Sequence, residues 1–348
     1  NLIEADYAGA WTIDVELDGD LDVVLGARAG KTRVIRNNGD GTFIPIETLS
    51  TFNDLRGLVW VELDRDGDPD LALLDADGHI HLQSNERSGS YAVWSDQNIE
   101  SGFVSVAASD IDGDGVMEVV GLRGDGTIIS IFRSLDKSEW IITELLRWSE
   151  VPANLVPGEV RLFIRDLDNN GENDLVVSSD SVTKVWLRDA QHGFVPLSEE
   201  IASGVYAVMD FTGDGLVDLL GLSSIGKPVH QIGNGVENYH WQIIRPLATR
   251  GDGDQRINSF ALGGEVQLRA GLLAQSQRVS MLPVHFGLGS YMSVDVVRIV
   301  WPNGVFQAEF DLATNAVIDT KQRLKGSCPW LYTFDGNGMK FVTDFLWR

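Results

Sequence analysis

A single cysteine, Cys328, stands among 348 residues, so no internal disulfide framework holds this chain together and its redox compartment is left open. No run of eighteen apolar residues occurs, which excludes a bilayer-spanning helix. Positive charge is scarce: 27 Lys and Arg face 51 Asp and Glu, for a formal net charge of −24. That balance disfavours DNA, RNA or an anionic membrane surface as a partner. Histidine is scarce as well, with six residues and no Ser-His-Asp spacing, phosphate loop or His-Glu metal motif around them. No signal peptide is visible. The chain opens almost directly on a loop motif and stops at Leu346-Trp347-Arg348 in mid-pattern, as a piece of a longer protein would.

What is abundant is acid in a fixed rhythm. The stretch Asp110-Ile111-Asp112-Gly113-Asp114-Gly115-Val116-Met117-Glu118 places carboxylates at positions 1, 3, 5 and 9 around a glycine at position 6. Four other stretches share this spacing: Asp14, Glu16, Asp18, Gly19 and Asp22; Glu62, Asp64, Asp66, Gly67 and Asp70; Asp166, Asp168, Asn170, Gly171 and Asp174; and Asp210, Thr212, Asp214, Gly215 and Asp218. They hold 21 of the 51 acids, and acids packed so closely repel one another unless a cation joins them. Five divalent ions would bring the formal charge to −14.

An all-oxygen donor set favours calcium, magnesium or manganese over zinc or copper, and the number and flexibility of the ligands favour calcium. The EF-hand shares the spaced acids and the glycine, but it needs a bidentate Glu at position 12 on a helix. That position holds Leu25, Leu73, Gly121, Val177 and Gly221, none of which can coordinate. Tandem nine-residue repeats of a calcium solenoid are absent. Glu16 and Glu62 are longer than the usual Asp and Thr212 is neutral, so loops three and four are expected to bind most tightly, with up to five structural calcium ions in all.

Each loop lies between two short apolar runs, for example Leu58-Val59-Trp60-Val61 before and Leu71-Ala72-Leu73-Leu74 after, which read as strands entering and leaving it. Asn38-Gly39-Asp40-Gly41, Asp77-Gly78 and Gly124-Asp125-Gly126 supply hairpin turns beyond. About four short strands per repeat of roughly 48 residues describe one antiparallel propeller blade, with five motif-bearing blades over residues 1–248. Trp11, Trp60, Trp94, Trp140, Trp186 and Trp241 are expected to fill the gaps between blades; an aromatic platform for sugars is the sharper alternative. The rhythm fails near residue 249, where Arg250-Gly251-Asp252-Gly253-Asp254 begins a sixth loop without completing it. Val266–Arg269 and Val294–Trp301 then alternate as strands, and Pro302-Asn303-Gly304 turns into Val305-Phe306-Gln307. A small antiparallel β domain over 249–318 follows from this, and then a further β segment over 319–348.

The loops resemble the FG-GAP or VCBS repeats of integrin α-like propellers, in which Asp-x-Asp-x-Asp-Gly-x-x-Asp loops bind calcium between the first two strands of a blade. On that resemblance the position 1, 3, 5 and 9 residues named above are the ligands, and the ring could hold seven blades. Gly263-Gly264, His285-Phe286-Gly287-Leu288-Gly289 and Val300-Trp301-Pro302-Asn303-Gly304, through Gln307, are similar to an ASPIC/UnbV domain, found in bacterial secreted proteins and animal cartilage acidic proteins. Cys328-Pro329-Trp330-Leu331-Tyr332 and Phe341-Val342-Thr343-Asp344-Phe345-Leu346 are similar to a segment that follows it in bacterial members.

The resemblance implies a secreted, periplasmic or cell-surface calcium-binding scaffold for an extracellular protein or glycan, with no settled catalytic activity. The alternative is a calcium-dependent polysaccharide lyase or glycosidase on a propeller. No acid outside the loops stands in a context that points to general acid/base work. His79 and His81, two apart near Asp77, His285, and the scattered His192, His230 and His240 are expected to be structural or solvated. Arg123-Gly124-Asp125 and Arg250-Gly251-Asp252 read as turns rather than adhesion ligands, and Cys328 as a small buried residue.

Overall fold

A computed structural model describes residues 6–344 apart from 96, 181, 190, 192, 200, 202, 236–237, 249–256 and 324–329. Cys328, the second Arg-Gly-Asp and the last four residues lie outside the described residues. The described chain is all β, with 28 strands and no helix.

The first repeat is an antiparallel sheet of β1 (Tyr7–Ile13), β2 (Asp22–Ala27), β3 (Arg33–Asn37) and β4 (Phe43–Ile46), paired in chain order. The second is β5 (Leu55–Val61), β6 (Asp70–Asp75), β7 (Ile80–Asn85) and β8 (Tyr91–Val93). The third is β9 (Phe103–Ser109), β10 (Glu118–Arg123), β11 (Thr127–Arg133) and β12 (Trp140–Arg147). The fourth is β13 (Arg161–Arg165), β14 (Asp174–Ser178), β15 (Thr183–Arg188) and β16 (Phe194–Pro196). The fifth has three strands, β17 (Ser203–Met209), β18 (Asp218–Ser223) and β19 (Pro228–Gln231). In every repeat the acidic loop joins the first strand to the second, and the expected hairpin turns fall where the Gly-containing stretches lie, with Gly78 at φ 79° and Gly126 at φ 87°.

A strand exposes alternate residues to opposite faces, and here both faces are buried. On β5, Leu58 and Trp60 join the core shared with the first sheet, while Val59 and Val61 join the core shared with the third. On β6 the split is Leu71 and Leu73 against Ala72 and Leu74. The third and fourth sheets share a core containing Val120, Leu122, Leu162, Leu175 and the Trp148–Trp186 edge contact at 5.8 Å. The fourth and fifth share one around Val176, Val185, Val205 and Val217. Adjacent sheets thus stack face to face, as propeller blades do. Trp11, Trp60, Trp94, Trp140 and Trp186 fill these gaps as expected.

Trp241 does not. It lies on β20 (His240–Leu247), which pairs antiparallel with β23 (Val284–Gly289) and parallel with β26 (Ala316–Lys321). β20 therefore stands with the residues beyond the boundary expected at 248, and β26 spans the one expected at 318. A second sheet runs β22 (Leu273–Arg278), β21 (Glu265–Ala270), β24 (Ser293–Val300) and β25 (Phe306–Ala313). The two sheets enclose one core, with Ile244, Val284, Phe286 and Leu288 from the first and Val266, Leu268, Val294, Val297 and Ile299 from the second, closed by Trp301. A parallel pair needs a long crossover, and the four-stranded sheet is carried within it. The hairpin β27 (Trp330–Phe334) and β28 (Met339–Asp344) follows, and Tyr332 meets Phe310 of β25 at 5.0 Å between ring centroids.

Candidate metal centres

The five acidic loops share one hydrogen-bond plan. The position 1 carboxylate accepts the N–H of the position 6 glycine in each: Asp14 from Gly19 (3.0 Å), Glu62 from Gly67 (2.8 Å), Asp110 from Gly115 (3.1 Å), Asp166 from Gly171 (2.7 Å) and Asp210 from Gly215 (2.9 Å). The position 5 side chain accepts the N–H two residues on, as Asp18 does from Asp20, Asp66 from Asp68, Asp114 from Val116, Asn170 from Glu172 and Asp214 from Leu216. These bonds curl the loop so that its side-chain oxygens converge. Position 9 has a further duty. One oxygen accepts the N–H of position 2, seen in Asp22 from Val15, Asp70 from Leu63, Glu118 from Ile111, Asp174 from Leu167 and Asp218 from Phe211. In four loops its other oxygen reaches just past or onto the third strand of the sheet, to Asn37, Asn85, Arg188 and Gly233.

The loops differ in what they gather. One oxygen each from Glu62, Asp64 and Asp66, from Asp110, Asp112 and Glu118, and from Asp166, Asp168 and Asp174 lies within 4.8 Å of the other two. Among the described residues loops one and five form no such group. In loop one, Glu16 is turned to the Arg36 guanidinium at 3.2 Å. In loop five, Thr212 brings no charge, and Asp218 faces His230 Nε2 at 3.2 Å. Burial acts to raise the Asp218 carboxyl, yet bonds from Gly233, His230, Phe211 and Thr212 outweigh it and hold it below its ordinary value. In loop two the position 9 acid, Asp70, stays apart from the cluster and serves the backbone alone.

In each of the three clusters burial works against the charged form of at least one acid. Burial, opposed by two backbone hydrogen bonds, leaves Glu62 raised to about 7, with Asp66 and Asp64 adding to the rise. Asp110 rises to about 7 and Glu118 to about 9, again by burial first, with the neighbouring acids of the loop adding to it. Burial raises Asp166 well above its ordinary value, with Asp174 and Asp168 adding to it, and raises Asp174 to about 8. Asp110 Oδ1 is enclosed and has no hydrogen-bond partner. One carboxylate oxygen without a partner beside two other carboxylates makes an all-oxygen donor set, and the chemistry of that set fits a hard divalent ion.

The second β unit sits on these loops. Ser276 of β22 donates its backbone N–H to Asp110 Oδ2 at 2.9 Å, although 166 residues separate them. The Gly289 N–H donates to the Asn169 carbonyl at 2.8 Å. His285 Nε2 lies 3.0 Å from the Gly215 carbonyl; a carbonyl only accepts, so this nitrogen carries the proton. Burial lowers the pKa of His285, and its role is a structural strut. A Cβ on Gly287 would come within 1.9 Å of Asp166 Oδ2, which is why glycine stands there. The loops are also tied to each other: Asn173 Nδ2 donates to the Asp110 carbonyl at 2.8 Å and Asn169 Nδ2 to the Gly215 carbonyl at 2.9 Å.

The remaining sequence candidates are placed as follows. His81 and His79 both face Asp75, at 2.9 and 3.4 Å, rather than Asp77. Arg123-Gly124-Asp125 forms the β10–β11 turn, with Arg123 on Glu100 and Asp125 accepting the Thr127 N–H. Trp94 and Trp140 meet edge to face at 5.3 Å with Arg133 over both.

Stacked antiparallel sheets with acidic loops between first and second strands define an all-β, propeller-like repeat protein carrying a β sandwich. The FG-GAP-like repeat model matches residues 14–73 and 62–121, and the ASPIC and UnbV model matches residues 254–325. The chain therefore contains FG-GAP-like repeats followed by an ASPIC and UnbV domain. No curated protein matches it. Similar solved structures include a Photorhabdus luminescens Tc holotoxin pore (13% identity, TM-score 0.32, covering 84% of this chain and 16% of that one) and BBS1N in complex with ARL6DN (14%, 0.38, 89% and 92%). A Lactobacillus plantarum protein is a third (15%, 0.40, 66% and 72%). The chain spans 16% of the length of the holotoxin chain. Among the described residues no helix is long and apolar enough to cross a membrane.

Proposed function

We propose that the protein is an extracytoplasmic scaffold whose acidic loops bind calcium structurally, holding the repeats and the second β unit in one arrangement for a protein or glycan partner. The observation that carries this reading is the third loop. Asp110, Asp112 and Glu118 converge, one oxygen of Asp110 has no partner, and its other oxygen already holds the second unit through Ser276.

Calcium would supply the positive charge that lets the buried acids of loops two, three and four stay ionised together. The chain's own residues do the rest. The glycine N–H at position 6 orients the first acid, the position 9 acid fixes the loop to its sheet, and Asn169 and Asn173 keep neighbouring loops in register. Calcium sites of extracellular modules have affinities of about 10⁻⁴ to 10⁻³ M, so they fill outside a cell and stay largely empty in cytosol. The test is the melting temperature and the rate of proteolysis after chelation. Loss of stability restored by calcium better than by magnesium supports the reading, because the smaller ion demands a stricter octahedron. A chain that melts at the same temperature with and without chelator overturns it.

A further inference from the structure

A cavity of about 440 Å³ lies between loops two and three on one side and the sheet of β21, β22, β24 and β25 on the other. Three arginines line it: Arg65 from loop two, Arg278 from β22 and Arg298 from β24. In a chain with 51 acids, none of the three takes part in an ion pair among the described residues. Arg278 Nε is enclosed and has no hydrogen-bond partner. Arg298 lies over the Phe306 ring, 4.0 Å from its centroid, a stacking that leaves the guanidinium edge free to donate.

Three acids border the same space. Glu265 Oε1 accepts from Ser276 Oγ and Gln267 Nε2. Glu62 and Asp66 belong to loop two and face its cluster. Arg298 feels the Glu265 charge and Arg65 that of Asp114, but among the described residues neither acid closes to an ion pair, and Arg278 faces no such acid. Burial, with Arg165 adding to it, pushes Arg278 down to about 10, the direction expected of a cation short of a counter-charge.

We propose that this cavity binds a ligand through a carboxylate or sulfate group, held by forked hydrogen bonds from Arg278 and Arg298, with the exposed Phe306 ring against the body of the ligand. Guanidinium forks match such oxyanions in geometry, and the volume is that of a small-molecule site. A free inorganic ion and an acidic sugar offer the same chemistry. The site stands on the arginines and not on the calcium reading, so each measurement is made both with calcium and with chelator.

The experiment is calorimetric titration of the full chain with inorganic sulfate and with glucuronate, at ionic strength held constant with chloride. Saturable binding of either anion in either condition is expected. Glucuronate binding points to an acidic sugar, and sulfate alone to the inorganic ion. Arg278→Met and Arg298→Gln should each weaken binding about ten- to a hundredfold, the loss of a hydrogen bond to a charged group. Without anion, Arg278→Met should melt no lower than the parent, because it removes an uncompensated charge; an arginine kept for packing would do the reverse. Should that variant not fold, Arg298→Gln carries the test. No saturable heat with either anion, or unchanged affinity in the variants, overturns the proposal.

Discussion

The N–H of Ser276 and the Oδ2 of Asp110 are 2.9 Å apart, so an edge strand of the sandwich is met at this point by the first acid of an acidic loop. An uncovered edge presents unpaired backbone groups; here a carboxylate supplies the acceptor. The same oxygen also accepts from Gly115. Loop shape and domain docking are consequently one event at this point, and whatever changes the charge on Asp110 acts on both.

Removing a ligand from loop three or four should therefore be felt more widely than at one site. Asp112→Ala and Asp168→Ala are each expected to weaken a calcium site at least about tenfold and to lower the melting temperature in saturating calcium by about 3–5 °C. Asp335→Ala, in an exposed turn where the carboxylate meets only Lys340 and local N–H groups, should move it by less than about 1 °C. Equal melting of all three variants would remove the metal assignment.

Stoichiometry separates the loops. Three calcium ions per chain, at loops two, three and four, should register by native mass spectrometry, because among the described residues these are the loops that gather three carboxylates. Thr212→Asp, which adds the missing charge in loop five, is expected to raise the count by one. A parent chain that already binds five would show that Glu16 leaves Arg36 readily and that loop five binds without a third carboxylate.

The pH dependence has a definite sign. Folding raises the carboxyls of Asp14, Asp22, Glu62, Asp70, Asp110, Glu118 and Asp174 from ordinary values to between about 6 and 9, through burial foremost. The folded chain then holds more protons than the unfolded one across that window, so metal-free stability is full on the acid side and is lost as the pH rises through the folded values. Metal-free melting temperature should fall between about pH 5 and pH 8, while the increment from calcium grows over the same range as protons leave the ligands. A flat metal-free profile would contradict this.

Gly287→Ala places a methyl group against Asp166 and the Asn169 backbone. Overpacking of this kind costs about 1–3 kcal/mol. Urea unfolding should show the loss, and limited proteolysis should cut more readily in the 240–323 unit. Gly226→Ala, at a turn where an added Cβ meets nothing but φ is 72°, is a milder control.

Much of the repeat region was legible because its signals are local. Loop, flanking strands and hairpin turn all fall within one repeat, and alternation along β5 and β6 announces strands buried on both sides. What lay hidden was non-local. His240–Leu247 has a strand's composition, and nothing in it tells that its partners are β23 and β26 rather than β19. Spacing alone gives Glu16 a ligand's position, but Arg36 on the third strand takes it. The position 9 acids read as ligands, and their second duty, accepting backbone N–H groups of the loop and the third strand, is not visible in the spacing. Asn169 and Asn173 did carry a signal: amides where other loops have different residues, each reaching to a neighbouring loop.

The strands that face two ways set how damage spreads. Because β6 gives Leu71 and Leu73 to one core and Ala72 and Leu74 to the next, the array behaves as links of a chain whose strength resides in the joints. A lesion in the second, third or fourth sheet loosens two joints at once. Among the described residues the first sheet shares one core, with the second, so injury there should loosen that joint and leave the far repeats standing.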